Sequence, residues 1–398
     1  MDPSQYGARK GTGTEYLIVT FVDSVLKRLD SVKSRSAVIS ASVDWAAAFD
    51  RLDPSITIKK FIKIGVRPSL IPILVSYMTN RRMIVKFNGA QSKPTKLIGG
   101  GPQGTLLGGI QYNVSNDDCL KKPVSPNDRF KYFDDLNLLE FLILSEQLIQ
   151  YDFSKHVASD IGIDHSFLPP EKIDMQKNLN EISDWTQENL MLLNESKCSY
   201  IVFSRSKREF STRLTLNEVF LERKSVVKIL GLWLQEDMKW DHNTRQICIK
   251  AYSRMHILTK LKYAGIKESD LLTIYKLFIR SVCEYCSAVF HTSLTEELAD
   301  KLEAIQSTAL KIILAEKYID YNTALQHFSI DILCDRRQKH MLKFAVKCTK
   351  DVYNNKIFPE NHNIRGKDKF QVNFARTSQY LNGAVIQCQR LLNTHVNN

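Results

Sequence analysis

Two adjacent carboxylates, Asp134 and Asp135, stand between two apolar runs and restrict what this chain can fold into more than any other feature. The flanking runs, residues 129–133 and 136–139, have the composition of β-strands, and the two residues between them are of a type that tolerates tight turns. This pattern predicts a β-hairpin with Asp134-Asp135 at its tip. Adjacent carboxylates repel each other, and a bound divalent cation relieves the repulsion unless one of them takes up a proton. Oxygen ligands suit magnesium, with manganese as the alternative, whereas the plain structural interpretation is a solvated turn.

A third carboxylate, Asp44, ends a run of small and β-branched residues at positions 37–43. Such a run is typical of a strand that is mostly buried. A strand end and a hairpin tip can meet in space, which predicts that Asp44 lies near Asp134 and Asp135. Nucleotidyl transfer requires carboxylates from separate elements that share two magnesium ions, since one ion activates the attacking oxygen and the other stabilises the leaving pyrophosphate. A metal-dependent nuclease needs similar carboxylates, so these residues alone leave both reactions open.

A glycine-dense loop at residues 99–104 lies between the two acidic elements. It precedes an apolar stretch, Thr105 to Val114, that predicts a helix. Such a loop lets the backbone approach a phosphate or a base pair closely. Taken alone it is more often a plain turn, and its position between Asp44 and the predicted hairpin is what makes it a candidate site.

The chain resembles the reverse transcriptase family, in particular the polymerases of LINE-type, non-LTR retrotransposons such as the jockey group. Five segments carry the resemblance, in the order of the family's motifs A to E: Val43-Asp44-Trp45-Ala46-Ala47-Ala48-Phe49-Asp50, Gly101-Pro102-Gln103-Gly104, Tyr132-Phe133-Asp134-Asp135-Leu136, Trp185 through Lys197, and Ile229-Leu230-Gly231-Leu232-Trp233-Leu234. The stretch from Gln5 to Thr14 is similar to the segment that leads from the fingers into the palm. The resemblance covers most of residues 4–350, and the order and spacing of the motifs make it specific.

By this resemblance, Asp44 and Asp134 are the main metal ligands and Asp135 is a supporting carboxylate. The resemblance also implies roles around the nucleotide: the Trp45 backbone carbonyl as a further metal ligand, Phe49 as the steric gate against a 2′-hydroxyl, Gln103 and Gly104 at the incoming nucleotide, and Lys197 as the proton donor to pyrophosphate. Three of these side chains have structural alternatives. Phe49 fits an ordinary core position, Gln103 fits a bond to the loop backbone, and Lys197 fits a solvated surface.

The fold class that the resemblance implies is α+β, the right-hand polymerase form. It has an antiparallel palm sheet with helices, partial fingers, a helical thumb and a C-terminal helical extension. We expect partial fingers at residues 1–36, the palm with motifs A to E at 37–235, the thumb and extension at 236–351, and a polar tail at 352–398 that is partly disordered. The similarity begins at Gln5, so the fingers strands that normally precede this segment are expected to be absent, as in an N-terminally truncated polymerase.

Positive charge is concentrated in one part of the chain. Residues 197–280 hold 17 Lys or Arg and 8 Asp or Glu, and so carry +9 of the formal net charge of +12. A basic surface attracts a nucleic-acid backbone without regard to sequence. The helical pattern at residues 241–263 includes Lys250 and Arg254, which predicts a basic thumb helix against an RNA–DNA hybrid. By the resemblance, Gly231 belongs to the primer grip, and the partners are an RNA template, a DNA primer and deoxynucleoside triphosphates.

Composition bounds the size and the compartment. With 398 residues and 43% hydrophobic content, the chain is long enough for two or three packed subdomains. Eight cysteines form no disulfide-like framework and no signal peptide is recognisable, which favours an intracellular location in the nucleus or cytoplasm. No apolar stretch approaches about 18 residues, so no membrane partner is expected. Cys283 and Cys286 lie in a helical pattern and are predicted to be buried thiols rather than zinc ligands.

Two functions of different classes follow from these observations. The first is a magnesium-dependent RNA-directed DNA polymerase of a retrotransposon, a nucleotidyltransferase that extends a primer 3′-hydroxyl with deoxynucleotides. The second is a truncated or domesticated fragment that is catalytically silent and binds RNA or an RNA–DNA hybrid. The carboxylates favour the first function, and the expected lack of fingers strands favours the second. Nuclease chemistry ranks last because it explains neither Gln103 nor the charge of the predicted thumb.

Overall fold

The computed structural model describes residues 2–32, 36–120, 128–143, 150–151, 166–167, 172–205, 210–350, 357–360 and 369–397. The chain divides into two compact units, one formed by Met1–Gly13 and Ser34–Lys224 and the other by Thr14–Lys33 and Ser225–Asn398. The α-helices are α1 Thr14–Ser31, α2 Pro54–Lys63, α3 Ile71–Met78, α4 Leu106–Ser115, α5 Asp174–Glu188, α6 Asp241–Tyr263, α7 Glu268–Ile274, α8 Ser281–Glu284, α9 Ser287–Phe290, α10 Glu296–Leu314, α11 Tyr321–Phe328, α12 Leu333–Thr349, α13 Ser378–Leu381 and α14 Ala384–Asn397. The strands are β1 Ser36–Val43, β2 Arg82–Met83, β3 Lys86–Phe87, β4 Ala90–Gln91, β5 Thr95–Lys96, β6 Arg129–Tyr132, β7 Asp135–Ile143, β8 Gln150–Tyr151, β9 Ser166–Phe167, β10 Ser199–Ser204, β11 Phe210–Ser211, β12 Thr215–Leu216, β13 Val219–Phe220, β14 Glu222–Arg223, β15 Val226–Ile229 and β16 Leu232–Gln235.

A five-stranded sheet in the order β14-β10-β1-β7-β6 organises the first unit. Its middle strand, β1, pairs antiparallel with both β7 and β10, and β6 pairs antiparallel with β7. The edge strand β14 runs parallel to β10. Because the side chains of β1 are small or β-branched, they pack on both faces of the sheet, and all but one of them are buried. The strand predicted at residues 37–43 is therefore confirmed as β1.

Helices α2 to α5 belong to the same unit, and side-chain caps set the start of two of them. The Asp53 carboxylate accepts the N–H of Ile56 at 2.9 Å, and Pro54 opens α2. Thr105 Oγ1 accepts the N–H of Gly108 at 3.0 Å and so begins α4, the helix predicted after the glycine loop. Helix α5 packs into the same core as β1, β7 and β10. This architecture confirms the α+β class, with a sheet that is antiparallel except at its β10–β14 edge.

The second unit consists of α1, the β15–β16 hairpin and helices α6 to α14, and it corrects two predicted boundaries. Helix α1, expected in the fingers, buries residues such as Leu17 and Val25 against the C-terminal helices because its apolar positions cover most of its surface. The β15–β16 hairpin, expected to end the palm, packs on α6. The N–H of Trp233 donates to Asn243 Oδ1 at 3.3 Å, which ties this hairpin to that helix.

The polar tail at residues 352–398 contains a helix in the part that the structure describes, and its expected partial disorder stays a prediction. Residues 351–356, 361–368 and 398 lie outside the described ranges. Between them, α14 buries Val385, Cys388 and Leu392 and packs against α1 and α12. These apolar residues recur at helical spacing, so a segment that is polar in overall composition still has one face that is driven out of water.

Two further features of the second unit bear on the sequence predictions. Cys283 and Cys286 are both buried, as predicted, and burial raises the pKa of each thiol to about 12. Residues Tyr275–Arg280 form a π-helical segment between α7 and α8. Among the helices that the structure describes, none combines the length and the apolar composition needed to cross a bilayer.

Candidate active site

The register of the sheet brings the predicted carboxylates to one end of it. Val43, the last residue of β1, pairs with Leu136 of β7, so Asp44, which follows β1 directly, lies near Asp135, and their charges interact. The backbone around Asp44 is held from the other side as well. Its carbonyl accepts the N–H of Asn194 at 2.9 Å, and its N–H points at the Cys198 thiol at 3.3 Å.

The hairpin tip differs by one residue from the sequence prediction. Tyr132 pairs with Asp135, so the two turn residues are Phe133 and Asp134 rather than Asp134 and Asp135. Phe133 has a positive φ of 54°, a conformation that is uncommon for a bulky residue. The sequence pattern favoured the Asp-Asp pair because Asp tolerates such a conformation better than Phe does. In the folded chain, Phe133 instead occupies the turn, where its N–H donates to Gln5 and its ring lies near Phe49.

The three carboxylates influence one another electrostatically. Partial burial raises the pKa of Asp135 to about 6, and the negative charges of Asp134 and Asp44 act in the same direction. Solvent still reaches Asp134 and Asp135, which are both exposed. The Lys197 ammonium lies 3.7 Å from Asp44 Oδ2, and this pair is also exposed to solvent, so it stabilises the fold by no more than about 1 kcal/mol.

The donor set suits a hard cation. All of its atoms are carboxylate oxygens, and they come from the ends of neighbouring strands and the turn beside them. Burial is the main cause of the raised pKa of Asp135, and the negative charges of Asp134 and Asp44 add a repulsion that a cation would relieve. Within the described ranges, however, no three side chains of His, Cys, Asp or Glu lie close enough together to hold a metal ion. The residues therefore fit magnesium by their chemistry and by strand register, and the predicted metal site stays a prediction.

Aromatic rings connect the predicted motifs A and C with α4, the helix that follows the predicted motif B. Phe49 is half-buried and stacks on Tyr112 of α4, with ring centroids 4.6 Å apart and an interplanar angle of 27°. The Phe133 ring lies 6.1 Å from Phe49 and 6.5 Å from Tyr112. Phe49 is thus neither a free surface ring nor a fully enclosed core residue. Trp45, in contrast, is buried and packs edge-on against Trp185 at 5.6 Å.

The glycine loop is bonded directly to the segment after β1. The N–H of Gly101 donates to the carbonyl of Phe49 at 2.7 Å. Gly100 has a φ of 85°, and a Cβ there would lie 2.9 Å from the carbonyl oxygen of Asp50, so the close approach requires glycine. Gln103 is exposed, and its amide donates to Asp50 Oδ1 at 3.1 Å. Gly104, with a φ of 77°, faces open space.

Sequence reasoning missed two residues that contact the hairpin turn. Gln5 Oε1 accepts the N–H of Phe133 at 3.1 Å, and Gly7 lies so close that a Cβ would come within 2.8 Å of Phe133. The similarity of the stretch from Gln5 to Thr14 to a known polymerase segment was a signal that this stretch matters. It carried no information about which strand the segment would contact.

A buried ion cluster beneath the hairpin was also missed. Asp2 Oδ1 lies 3.1 Å from the Arg129 guanidinium and Asp2 Oδ2 lies 2.9 Å from Lys131 Nζ, and all three side chains are at most 1% exposed. Burial acts to raise the pKa of Asp2, but Lys131 and hydrogen bonds from Ser4 outweigh it and hold the pKa below its ordinary value. The signal was present in the sequence, since Arg129 and Lys131 interrupt an otherwise apolar strand.

Comparison with known proteins shows which proteins this chain is similar to in sequence and in structure. No model of a known protein family matches the chain. The chain is 22% identical over 344 residues to a probable RNA-directed DNA polymerase from transposon X-element of Drosophila melanogaster, a match that covers 85% of this chain and 35% of the relative. It is 24% identical over 317 residues to the RNA-directed DNA polymerase from mobile element jockey of Drosophila funebris, covering 78% of this chain and 31% of the relative.

The chain is a homologue of the RNA-directed DNA polymerases of jockey-type retrotransposons. It spans about a third of the length of the curated relatives it matches. Among solved structures it is similar to telomerase from Candida tropicalis in complex with a fragment of telomeric RNA, with a TM-score of 0.39, 12% identity and coverage of 98% of this chain and 49% of the telomerase chain. Apo telomerase from the same organism gives a TM-score of 0.39 and 14% identity, covering 88% of this chain and 51% of that chain.

The three residues predicted to contact nucleic acid all belong to the second unit. Gly231 has a φ of 92° in the β15–β16 turn, and the Tyr285 ring lies 3.3 Å from the position of a Cβ there. Lys250 is exposed on α6. Arg254 donates to the carbonyl of Phe278 and lies 5.0 Å from the centre of that ring. Lys250 is therefore solvated, whereas Arg254 links α6 to the π-helical segment.

Proposed function

We propose that this chain carries the catalytic palm of an RNA-directed DNA polymerase, which adds deoxynucleotides to the 3′-hydroxyl of a DNA primer on an RNA template. One observation carries the proposal: the β1–β7 ladder ends at Val43 and Leu136, so Asp44 and Asp135 lie next to its last pair, at the end of the sheet where the hairpin turn bears Asp134. Homology to retrotransposon polymerases over most of the chain supports the same reaction class.

The three carboxylates are proposed to hold the divalent cations. Magnesium, when bound, supplies activation of the attacking hydroxyl and charge stabilisation of the leaving pyrophosphate. Asp135 begins β7 and Asp44 directly follows β1, so the pairing of these strands fixes the backbone on which both stand, and Asp134 depends on the conformation of the turn. With a pKa of about 6, the Asp135 carboxyl keeps its proton in acid and releases it near neutral pH.

The residues around the carboxylates are proposed to select and position the nucleotide. The Phe49 ring is braced by Tyr112 and is half-buried, so it offers a fixed edge against a 2′-hydroxyl. The exposed Gln103 amide, bonded to Asp50, is free to exchange that bond for one to the nucleotide. Lys197 lies 3.7 Å from Asp44 and is 67% exposed, which leaves its ammonium accessible to a pyrophosphate oxygen. We propose that Gly104 and the Trp45 carbonyl complete this set.

Primer extension tests the proposal. Purified protein is incubated with an RNA template, a DNA primer, deoxynucleotides and magnesium, beside Asp134→Asn and Asp44→Ala. Asp134→Asn is expected to abolish synthesis and leave the affinity for the RNA–DNA hybrid unchanged or higher, because the change removes a metal ligand together with one negative charge.

Asp174→Asn is the matched control, since Asp174 is an exposed carboxylate of the same unit whose partner is Lys177. It should synthesise like the wild type. Synthesis that survives Asp134→Asn would refute the metal-ligand role of this residue, and a wild-type protein that binds hybrid without extending it would refute the polymerase function.

A further inference from the structure

The first described residues lie along the outer edge of the catalytic hairpin. Gln5 forms a parallel bridge with Lys131 of β6, where the N–H of Tyr6 donates to the Lys131 carbonyl at 2.8 Å and the N–H of Lys131 donates to the Ser4 carbonyl at 3.0 Å. The Tyr6 ring stacks on Phe130 with an interplanar angle of 3°. Gln5 and its two neighbours therefore contact the outer edge of β6 through a single bridge and its two hydrogen bonds.

The Gln5 side chain reaches past this bridge to the turn itself. Its Oε1 accepts two backbone N–H groups, that of Gly7 at 2.9 Å and that of Phe133 at 3.1 Å. Gln5 is 5% exposed, so water has little access to replace these bonds. Removing this buried acceptor would leave two backbone N–H groups without a partner, and each unsatisfied N–H would cost stability. The Phe133 N–H is the one that starts the turn carrying Asp134.

Gly7 and α4 complete the support of the turn. A Cβ on Gly7 would lie 2.8 Å from both the Phe133 nitrogen and its ring, so only glycine permits this approach. The Asn113 amide of α4 donates to the Gly7 carbonyl at 2.9 Å. The segment that holds Gln5 is thus anchored on the helix that follows the glycine loop as well as on β6.

We propose that Gln5 is a positioning residue that fixes the Phe133–Asp134 turn and, through it, the carboxylates of Asp134 and Asp135. Phe133 adopts a positive φ that its side chain disfavours, and a compensating bond to its N–H keeps the turn in one conformation. This inference rests on the proposed polymerase function, in which Asp134 is a metal ligand. Gln5 itself touches neither substrate nor metal in this scheme.

Three variants separate positioning from general stability. Gln5→Leu removes the acceptor at similar size, and Gln5→Glu keeps an acceptor for both N–H groups. Gln306→Leu is the matched control, because Gln306 is a fully buried glutamine of the second unit whose Oε1 accepts the Tyr275 hydroxyl at 2.7 Å. Both leucine variants lose buried hydrogen bonds, but only Gln5→Leu loses one to the Phe133–Asp134 turn.

The first readout is amide hydrogen exchange, which needs no activity. Gln5→Leu is expected to speed exchange at Phe133 by about tenfold, the effect of losing one hydrogen bond, while the β15–β16 hairpin serves as an internal reference. Gln5→Glu should stay near the wild-type rate. The second readout is the magnesium concentration for half-maximal primer extension, which Gln5→Leu should raise several-fold and Gln306→Leu should leave unchanged.

Each outcome decides the matter. Unchanged exchange at Phe133 in Gln5→Leu overturns the proposal, and so does a change in the magnesium dependence that Gln306→Leu reproduces. Faster exchange with wild-type magnesium dependence also overturns it, because the bond would then be structural only. If the wild type extends no primer, the polymerase function fails, and the exchange comparison of Gln5→Leu with Gln5→Glu still decides whether Gln5 fixes the turn.

Discussion

At the scale of single residues, the candidate site depends on backbone groups held by side chains from distant parts of the chain. The Asp44 N–H points at Cys198, whose thiol pKa burial raises to about 11, so this sulfur is protonated and uncharged near the carboxylates. The Phe133 N–H is accepted by Gln5, which lies 128 residues away in sequence. The positions of the carboxylates therefore depend on hydrogen bonds to residues outside the segments that carry them.

Gly7 provides a test at this scale. In Gly7→Ala the new methyl would meet the Phe133 nitrogen at 2.8 Å, and forcing it in should lower the free energy of unfolding by about 1–3 kcal/mol. Displacement of the turn should also reduce primer extension. Urea unfolding followed by circular dichroism, together with the extension assay, measures both effects.

Gly13→Ala is the matched control, because a Cβ at Gly13 meets nothing within 4 Å. Its free energy of unfolding should stay within about 0.5 kcal/mol of the wild type. Equal behaviour of the two alanine variants would mean that the turn accommodates a methyl group at Gly7, contrary to the contacts described above.

At the scale of elements, α1 joins the C-terminal helices through buried polar contacts as well as apolar packing. Asp30, near the end of α1, accepts the N–H of Thr377 at 2.8 Å and that of Arg376 at 2.9 Å. About two helical turns earlier, Asp23 accepts a hydrogen bond from Tyr380 of α13. Burial raises the pKa of Asp23 to about 6, and Lys27 and Tyr380 offset this only in part.

This raised pKa predicts a pH dependence of stability. A carboxyl whose pKa is higher in the folded protein contributes stability that is complete below about pH 4 and is lost as the pH rises through 6. Asp23→Asn removes the titration and keeps an acceptor for Tyr380. Between pH 5 and pH 7.5 the wild type should lose about 1 kcal/mol more stability than this variant.

Chemical unfolding of both proteins across this pH range measures the difference. Asp320→Asn serves as the control, because Asp320 is a fully exposed helix cap whose pKa is lowered by the Thr323 backbone and side-chain hydrogen bonds. If wild type and Asp23→Asn show parallel pH profiles, the charged form of Asp23 is not penalised in the folded state.

At the scale of the whole molecule, positive charge is the main long-range property. The formal net charge is +12, and most of it belongs to residues 197–280. When a solvated Lys or Arg side chain binds a nucleic-acid phosphate, counterions are released and the affinity becomes dependent on salt. A Lys or Arg side chain that is bonded within the protein contributes to the stability of the fold instead. Lys250 and Arg254, four residues apart on α6, represent these two cases.

The pair therefore makes a matched comparison. Lys250→Gln should reduce the salt dependence of hybrid binding by about one counterion, with no change in melting temperature. Arg254→Gln should lower the melting temperature, because it loses its bond to the Phe278 carbonyl and its place over that ring. Fluorescence anisotropy over a salt series and thermal melting distinguish them. Identical salt slopes for wild type and Lys250→Gln would exclude this part of α6 from the binding surface.

The amino-acid sequence by itself determined the local elements and the candidate chemistry. Strand β1 follows from an unbroken run of small and β-branched residues, α4 from a threonine cap before an apolar stretch, and the carboxylates from their adjacency between strands. Each of these signals acts over a few residues, where propensity and side-chain pattern dominate. The resemblance to jockey-type polymerases was likewise readable, and the sequence similarity to curated polymerases of this type confirmed it.

Only the tertiary structure decided how distant segments meet. It placed α1 with the C-terminal helices, ordered α14 at the end of a polar tail, moved the turn to Phe133 and brought Gln5 against it. The physical reason is the same in each case. Burying an apolar face, or giving a buried N–H an acceptor, stabilises the protein more than the local conformational preference of a few residues does. The residue that supplies the apolar surface or the acceptor is distant in sequence, so only the fold brings it into contact.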